Sequence, residues 1–123
     1  MKTQKTILVI EDEKSLRGAI VDILHLKEFS SLEARNGREG VELALANHPD
    51  LILLDLIMPE MDGMTALGKI REDVWGKEAP VIILTNSSAA REHLADDAVT
   101  RYLVKSDWKI HDIVKKIEEI LNI

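Results

Sequence analysis

A chain of 123 residues with 46% apolar and 31% charged residues is long enough for one hydrophobic core and too apolar to be disordered. Its formal net charge of -6 excludes sequence-independent attachment to nucleic acid or to an anionic membrane surface, because both need a basic face. The absence of cysteine excludes disulfides, thiol catalysis and thiolate metal sites, so a cytoplasmic setting is the expectation.

Met1 to Thr6 precede a short apolar run and are expected to be neither a signal peptide nor a membrane span. That run, Ile7-Leu8-Val9-Ile10, lacks helical spacing and reads as a strand buried on both faces. It ends in three acids, Glu11-Asp12-Glu13. Leu16, Ala19, Ile20, Ile23 and Leu24 then recur at helical spacing and predict a helix from about Lys14 to His25. Asp12 or Glu13 could cap that helix, which accounts for one acid better than for three.

Phe29 to Ala34 mixes Ser, Leu and Glu and reads as a half-exposed strand at a sheet edge. Asn36-Gly37 turns the chain. Val41, Leu43, Ala44 and Leu45 mark a second helix, ended by Asn47-His48-Pro49. Leu51-Ile52-Leu53-Leu54 then runs into Asp55, and Pro59 and Asp62-Gly63 force a turn. Asp55 therefore ends a buried strand at the rim where open α/β sheets bind ligands. A third helix carries Met64, Leu67 and Ile70, and Trp75 in the loop after it reads as a packing or surface aromatic.

Val81-Ile82-Ile83-Leu84 is another apolar strand, with Thr85 one residue beyond it. Ser87 or Ser88 could cap a short helix from about Ala89 to Ala95. Val99 to Val104 is the fifth strand, containing Tyr102 and followed by Lys105. Ser106 and Asp107 are plausible caps for a last helix with the stripe Ile110, Ile113, Val114, Ile117, Ile120 and Leu121. His25, His48, His93 and His111 are scattered and read as surface residues.

Alternating strands and helices imply a parallel sheet with right-handed crossovers and helices on both faces. A central first strand and an edge second strand give the doubly wound order 2-1-3-4-5, with its switch point between strands 1 and 3. Glu11, Asp12 and Asp55 meet there. Crowded carboxylates need a cation, and hard oxygen donors suit Mg²⁺ better than zinc. Thr85 and Lys105, at the next two strand ends, add a hydroxyl and an ammonium. That set fits a phosphoryl group, with Asp55 as the candidate nucleophile, Lys105 balancing charge and Thr85 donating a hydrogen bond.

These residues give the chain its resemblance to the receiver domains of two-component response regulators. The matching stretches are Ile7 to Glu13, Leu53-Leu54-Asp55 with Met58-Pro59 and Met61-Asp62-Gly63, Ile83-Leu84-Thr85, and Tyr102-Leu103-Val104-Lys105. The resemblance runs from Ile7 to Leu121 and implies a doubly wound (βα)5 flavodoxin-like fold. By it, Asp55 is the phosphoacceptor, loaded by a histidine kinase or a phosphotransfer protein in phosphorelay signal transduction. Glu11, Asp12, Asp55 and the backbone carbonyl of Ile57 hold Mg²⁺, or alternatively Mn²⁺. Thr85 is the switch hydroxyl, Lys105 binds the phosphoryl group, and Tyr102 is the aromatic that follows Thr85. Phosphorylation then alters the face of the fourth helix, fifth strand and fifth helix, where a protein partner docks and a homodimer can form. Nucleic acid and membrane are not expected partners, and the domain is expected to be a phosphoacceptor rather than an enzyme.

Four departures stand out. Ser106 replaces the family's usual proline after the lysine, which makes a cis bond there cost about 2.5–4 kcal/mol. Asn86 stands where Ala or Gly is usual and is expected to narrow access to Asp55. The stretch from Thr85 to Lys105 is short and lacks the usual glycine before the fifth strand, which implies a truncated or displaced fourth helix. Ile57 and Ser87 occupy positions that tune dephosphorylation, and apolar Ile57 is expected to hinder the attacking water. No effector region is expected in residues 1–123, leaving a stand-alone regulator or an excised receiver. The alternatives are a phosphorylation-independent adaptor of the same fold, an aspartyl phosphohydrolase, and a flavodoxin-like cofactor binder. The hydrolase would want an acid at Ile57, and the cofactor binder would want hydroxyls in place of Glu11-Asp12-Glu13.

Overall fold

The computed structural model describes residues 4–56, 58, 61–85, 101–105 and 108–122. The elements follow as β1 (Thr6–Ile10), α1 (Lys14–Leu26), β2 (Ser30–Ala34), α2 (Gly37–Asn47), β3 (Leu51–Asp55), α3 (Gly63–Glu72), β4 (Val81–Thr85), β5 (Arg101–Val104) and α4 (Ile110–Ile120). The strands form one parallel sheet in the order β2-β1-β3-β4-β5, which is the expected doubly wound arrangement. The helix expected near Ala89 to Ala95 lies outside the described residues.

Period-two alternation along the central strands builds two apolar layers. Ile7 and Val9 of β1, Leu51 and Leu53 of β3, and Ile82 and Leu84 of β4 face one way. They pack with Ile20 and Leu24 of α1 and with Ile113, Val114 and Ile117 of α4. Leu8, Ile10, Ile52, Leu54, Val81 and Ile83 face the other way, toward Ala44 of α2 and Ala66, Leu67 and Ile70 of α3. Both faces of β1, β3 and β4 are thus covered, which explains their unbroken apolar runs. β2 is the half-exposed edge its mixed composition predicts.

Several boundaries differ from the sequence reading, each for a local reason. Asn36-Gly37, read as a turn, begins α2: the Asn36 side chain accepts the Glu39 N–H at 2.8 Å and caps the helix. Asp62 caps α3 in the same way through the Thr65 N–H at 2.8 Å. Thr85 closes β4 instead of lying beyond it. Phe29 precedes β2 and is buried in the core. Met64 is 40% exposed, and Ala66 takes the buried position on that helix. The last helix starts at Ile110, behind Lys109, whose N–H donates to Asp112 Oδ2 at 3.4 Å. Ser106 and Asp107, the expected caps, lie outside the described residues. Trp75 packs against the α2/α3 layer and stacks on His48, ring centroids 4.6 Å apart.

Candidate functional site

The alternation that builds the core also assembles the site. Glu11 continues the series Ile7, Val9; Asp55 continues Leu51, Leu53; Lys105 continues Leu103. All three side chains are therefore delivered toward the α1/α4 side of the sheet. Register completes the placement. Ile10 pairs with Leu54, so Glu11 stands level with Asp55 across the gap between β1 and β3. Thr85 pairs with Val104, so Lys105 emerges at the same rim.

The carboxylates of Glu11, Asp12 and Asp55 each place an oxygen within 4.8 Å of the others. Glu11 and Asp55 are buried and Asp12 is exposed. Lys105 Nζ lies 2.9 Å from Glu11 Oε1 and 3.4 Å from Asp55 Oδ2. Glu11 Oε2 accepts the Glu13 N–H at 3.2 Å. Oε1 is buried and, despite its closeness to Nζ, makes no aligned hydrogen bond among the described residues. Burial pushes the Glu11 carboxyl from 4.5 up to about 7; the neighbouring Asp55 charge adds to the rise, and Lys105 only partly offsets it. Lys105 moves above its ordinary value: burial alone would lower it, but its contacts with Glu11 and Asp55 outweigh that.

Helix capping does not explain the acids. Glu13 stands at the N-cap of α1, yet its side chain makes no capping hydrogen bond. A buried carboxylate oxygen without an aligned donor, beside two more carboxylates, is a donor set that fits a hard divalent cation such as Mg²⁺. Glu11, Asp12 and Asp55 could hold it.

Of the residues singled out from sequence, the structure brings together Glu11, Asp12, Asp55 and Lys105. Tyr102 lies in β5 as expected, and Thr85, expected one residue beyond β4, ends that strand; the side chains of both lie outside what is described. Ile57, Asn86, Ser87 and the Lys105–Ser106 bond also lie outside the described residues. Two contributors escaped the sequence reading. Arg17 Nη1 donates to the Glu11 carbonyl at 2.8 Å. Gly63 packs so tightly against the end of β3 that a Cβ there would meet the Asp55 carbonyl oxygen and the Leu56 Cα. The one available signal for Arg17 is a basic residue one turn inside a helix that follows an acid run, a pattern equally met by a solvated helix residue. From sequence, Gly63 reads as a turn residue within the matching Met61-Asp62-Gly63 stretch, which does not reveal its close packing on β3.

Residues 7–118 match the family model of the response regulator receiver domain. Among curated proteins, the transcriptional regulatory protein SrrA of Staphylococcus aureus is 36% identical over 121 residues, covering 94% of this chain and 47% of SrrA. Histidine kinase P4 of Formosa agariphila is 43% identical over 88 residues, covering 72% of this chain and 6% of the kinase. The chain thus spans about half the length, or less, of these curated relatives. Among solved structures, the response regulator TrrA of Thermotoga maritima, in complex with Mg²⁺-BeF, superposes with a TM-score of 0.84 at 31% identity, covering 94% of this chain and 98% of that one. The chemotaxis protein CheY4 of Vibrio cholerae superposes with a TM-score of 0.88 at 23% identity, covering 96% and 99%, and shows the shared fold. Among the described residues, no helix is long and apolar enough to cross a membrane.

Proposed function

Because the chain belongs to the response regulator receiver domain family, we propose that Asp55 accepts a phosphoryl group from a phosphohistidine in a Mg²⁺-dependent reaction. The observation that carries this reading is the convergence of three carboxylates with the Lys105 ammonium 3.4 Å from Asp55. An Asp55 carboxylate oxygen attacks phosphorus, the phosphorus–nitrogen bond of the donor breaks, and the imidazole leaves with the bonding pair and takes up a proton. The product is an acyl phosphate on Asp55 and a neutral histidine on the donor.

Glu11, Asp12, Asp55 and the Ile57 carbonyl would hold the cation. Bound there, Mg²⁺, and equally Mn²⁺, supplies charge neutralisation to the phosphoryl oxygens. Lys105 pairs with an oxygen of the incoming group, which draws its ammonium from Glu11 toward Asp55. Thr85 donates to another phosphoryl oxygen, and Tyr102 follows it. The burial that surrounds Glu11 and Asp55 strengthens each of these interactions.

The donor is a histidine kinase or a phosphotransfer protein; one relative, of which this chain matches a small part, is itself named a histidine kinase. The output is a change in the face that the sequence assigns to its expected fourth helix, fifth strand and last helix, read by a downstream protein or a second copy. The setting is the cytoplasm. Ile57 slows loss of the phosphoryl group by hindering the attacking water; an unchanged decay rate in Ile57→Asn would remove that part of the reading.

The test is incubation of the full chain with MgCl₂ and a small acyl phosphate, followed by mass spectrometry. The expected result is a gain of one phosphoryl group on Asp55, absent in Asp55→Asn and absent with chelator. No gain, with or without a kinase, favours an adaptor that works without phosphorylation. Continuous release of free phosphate favours a hydrolase.

A further inference from the structure

The peptide unit joining Glu11 to Asp12 is held from outside the acidic cluster. β2 ends at Ala34, and the last ladder bond on that side is the Glu11 N–H to the Ala34 carbonyl, 2.9 Å. The Glu11 carbonyl lies one step past the ladder. Arg17, one turn into α1, supplies it with a donor: Nη1 reaches that carbonyl at 2.8 Å while Nε pairs with Glu33 Oε1 at 3.2 Å. Glu33 is itself a β2 residue, register partner of Val9. Both ends of the Glu11 main chain are thus tied to the same edge strand, one directly and one through a guanidinium.

That carbonyl belongs to a planar unit whose nitrogen is Asp12's. Rotating it would swing Asp12 relative to Glu11, and those two side chains form two corners of the carboxylate cluster. The Arg17 side chain is only 14% exposed, so its contact with the Glu11 carbonyl is partly shielded, whereas the Glu33 side chain is 49% exposed; the planar fork loses little freedom in making both.

We propose that Arg17 is a positioning residue that sets the divalent-cation affinity of the Glu11, Asp12 and Asp55 cluster by fixing the Glu11–Asp12 peptide plane from the β2 edge. The inference rests on the reading that this cluster binds a cation. It carries a sign that separates it from plain electrostatics. Removing a positive charge near a cation site should tighten binding; removing a brace should weaken it.

The experiment is calorimetric titration of MgCl₂ into the full chain. Arg17→Ala is expected to raise Kd roughly 10-fold, the lower end of what loss of an outer support does to a metal site. Arg17→Lys keeps the charge and a donor without the two-partner fork, and should recover to within about 3-fold of the native chain. Hydrogen exchange of the metal-free protein gives a readout independent of loading: the Asp12 amide should exchange faster in Arg17→Ala while the amides of β1 do not. An unchanged or lower Kd in Arg17→Ala overturns the inference, as does exchange that rises equally throughout β1. Should Arg17→Ala fail to fold, Glu33→Ala in the metal-free protein decides: faster exchange of the Asp12 amide with β1 unchanged supports the brace, and unchanged exchange there overturns it. A native chain that takes up no magnesium overturns the functional reading itself, whereas native uptake matched by the variants overturns only the role of Arg17.

Discussion

The Lys105 ammonium stands closer to Glu11 than to Asp55, 2.9 Å against 3.4 Å, with both carboxylates buried. Among the described residues, Lys105 brings an ammonium into contact with both of these acids. Removing one partner of a buried pair leaves an uncompensated charge, which costs about 3–5 kcal/mol when burial is complete. The Lys105 side chain is 16% exposed, so Lys105→Met should lose about 2–3 kcal/mol of stability at pH 8, read from urea unfolding. The same variant should bind Mg²⁺ several-fold more tightly, because the metal no longer competes with an ammonium for Glu11, yet load phosphoryl group more slowly. Equal stability of Lys105→Met and the native chain would show that the pair contributes nothing.

Glu11 makes stability depend on pH in a specified direction. Its folded-state carboxyl is raised from 4.5 to about 7, so between those values the folded chain binds more protons than the unfolded one. The contribution is fully present below about pH 4.5 and is lost as pH climbs through 7. The shift corresponds to about 3 kcal/mol, led by burial of a nearly inaccessible group. Lys105 is shifted upward as well, so its contribution is lost only above 10.5 and leaves this window alone. Urea midpoints of the metal-free protein should therefore fall from pH 5 to pH 7.5 more steeply than those of Glu11→Gln. Saturating Mg²⁺ should flatten the native profile, because a bound cation displaces the proton. Parallel profiles for the native chain and Glu11→Gln would contradict this account.

Gly63 bears on Asp55 through sterics alone. Its N–H donates to the Leu56 carbonyl at 2.8 Å, which seats the start of α3 on the end of β3. A methyl group there meets the Asp55 carbonyl oxygen and the Leu56 Cα, both main-chain atoms that cannot swing aside. Gly63→Ala should cost about 1–3 kcal/mol, the usual range for overpacking. It should also slow phosphoryl loading of the folded fraction. Gly68, on the same helix with open space around its Cα, is the control: Gly68→Ala should be neutral or stabilising by up to about 1 kcal/mol. If both variants unfold at the same denaturant concentration, the close approach at Gly63 has no energetic consequence.

The layers and the sheet order were legible because they rest on periodicity. Unbroken apolar runs at Ile7, Leu51 and Val81 mark strands covered on both faces, and the weak stretch before Ala34 marks an edge. Parity then carries Glu11, Asp55 and Lys105 to one side without any knowledge of contacts. Main-chain geometry was not legible. Asn36 reads as a turn or a cap with equal ease, and only the Glu39 N–H decides. Arg17 looks like an ordinary solvated helix residue until the end of β2 at Ala34 shows that the Glu11 carbonyl has passed the ladder. The preference of Lys105 for Glu11 over Asp55 depends on a difference of half an ångström, which no residue pattern encodes.

Trp108 should report on what happens to Lys105. Its N–H approaches the Lys105 carbonyl at 3.4 Å, its ring packs against the α1/α4 layer, and the Lys116 ammonium lies 5.7 Å from the ring centroid. A cation at that distance perturbs the indole, and the contact changes when the turn carrying Lys105 shifts. Drawing Lys105 from Glu11 toward a loaded Asp55 pulls on that turn. Fluorescence should therefore change on addition of Mg²⁺ with a small acyl phosphate, along a curve that tracks the fraction phosphorylated by mass. The other tryptophan, Trp75, stacks on His48 in the α2/α3 layer, away from this turn. Trp75→Phe should keep the change and Trp108→Phe should abolish it. A signal that survives Trp108→Phe, or full phosphorylation with no change in emission, would mean that the Lys105 turn stays fixed while Asp55 is loaded.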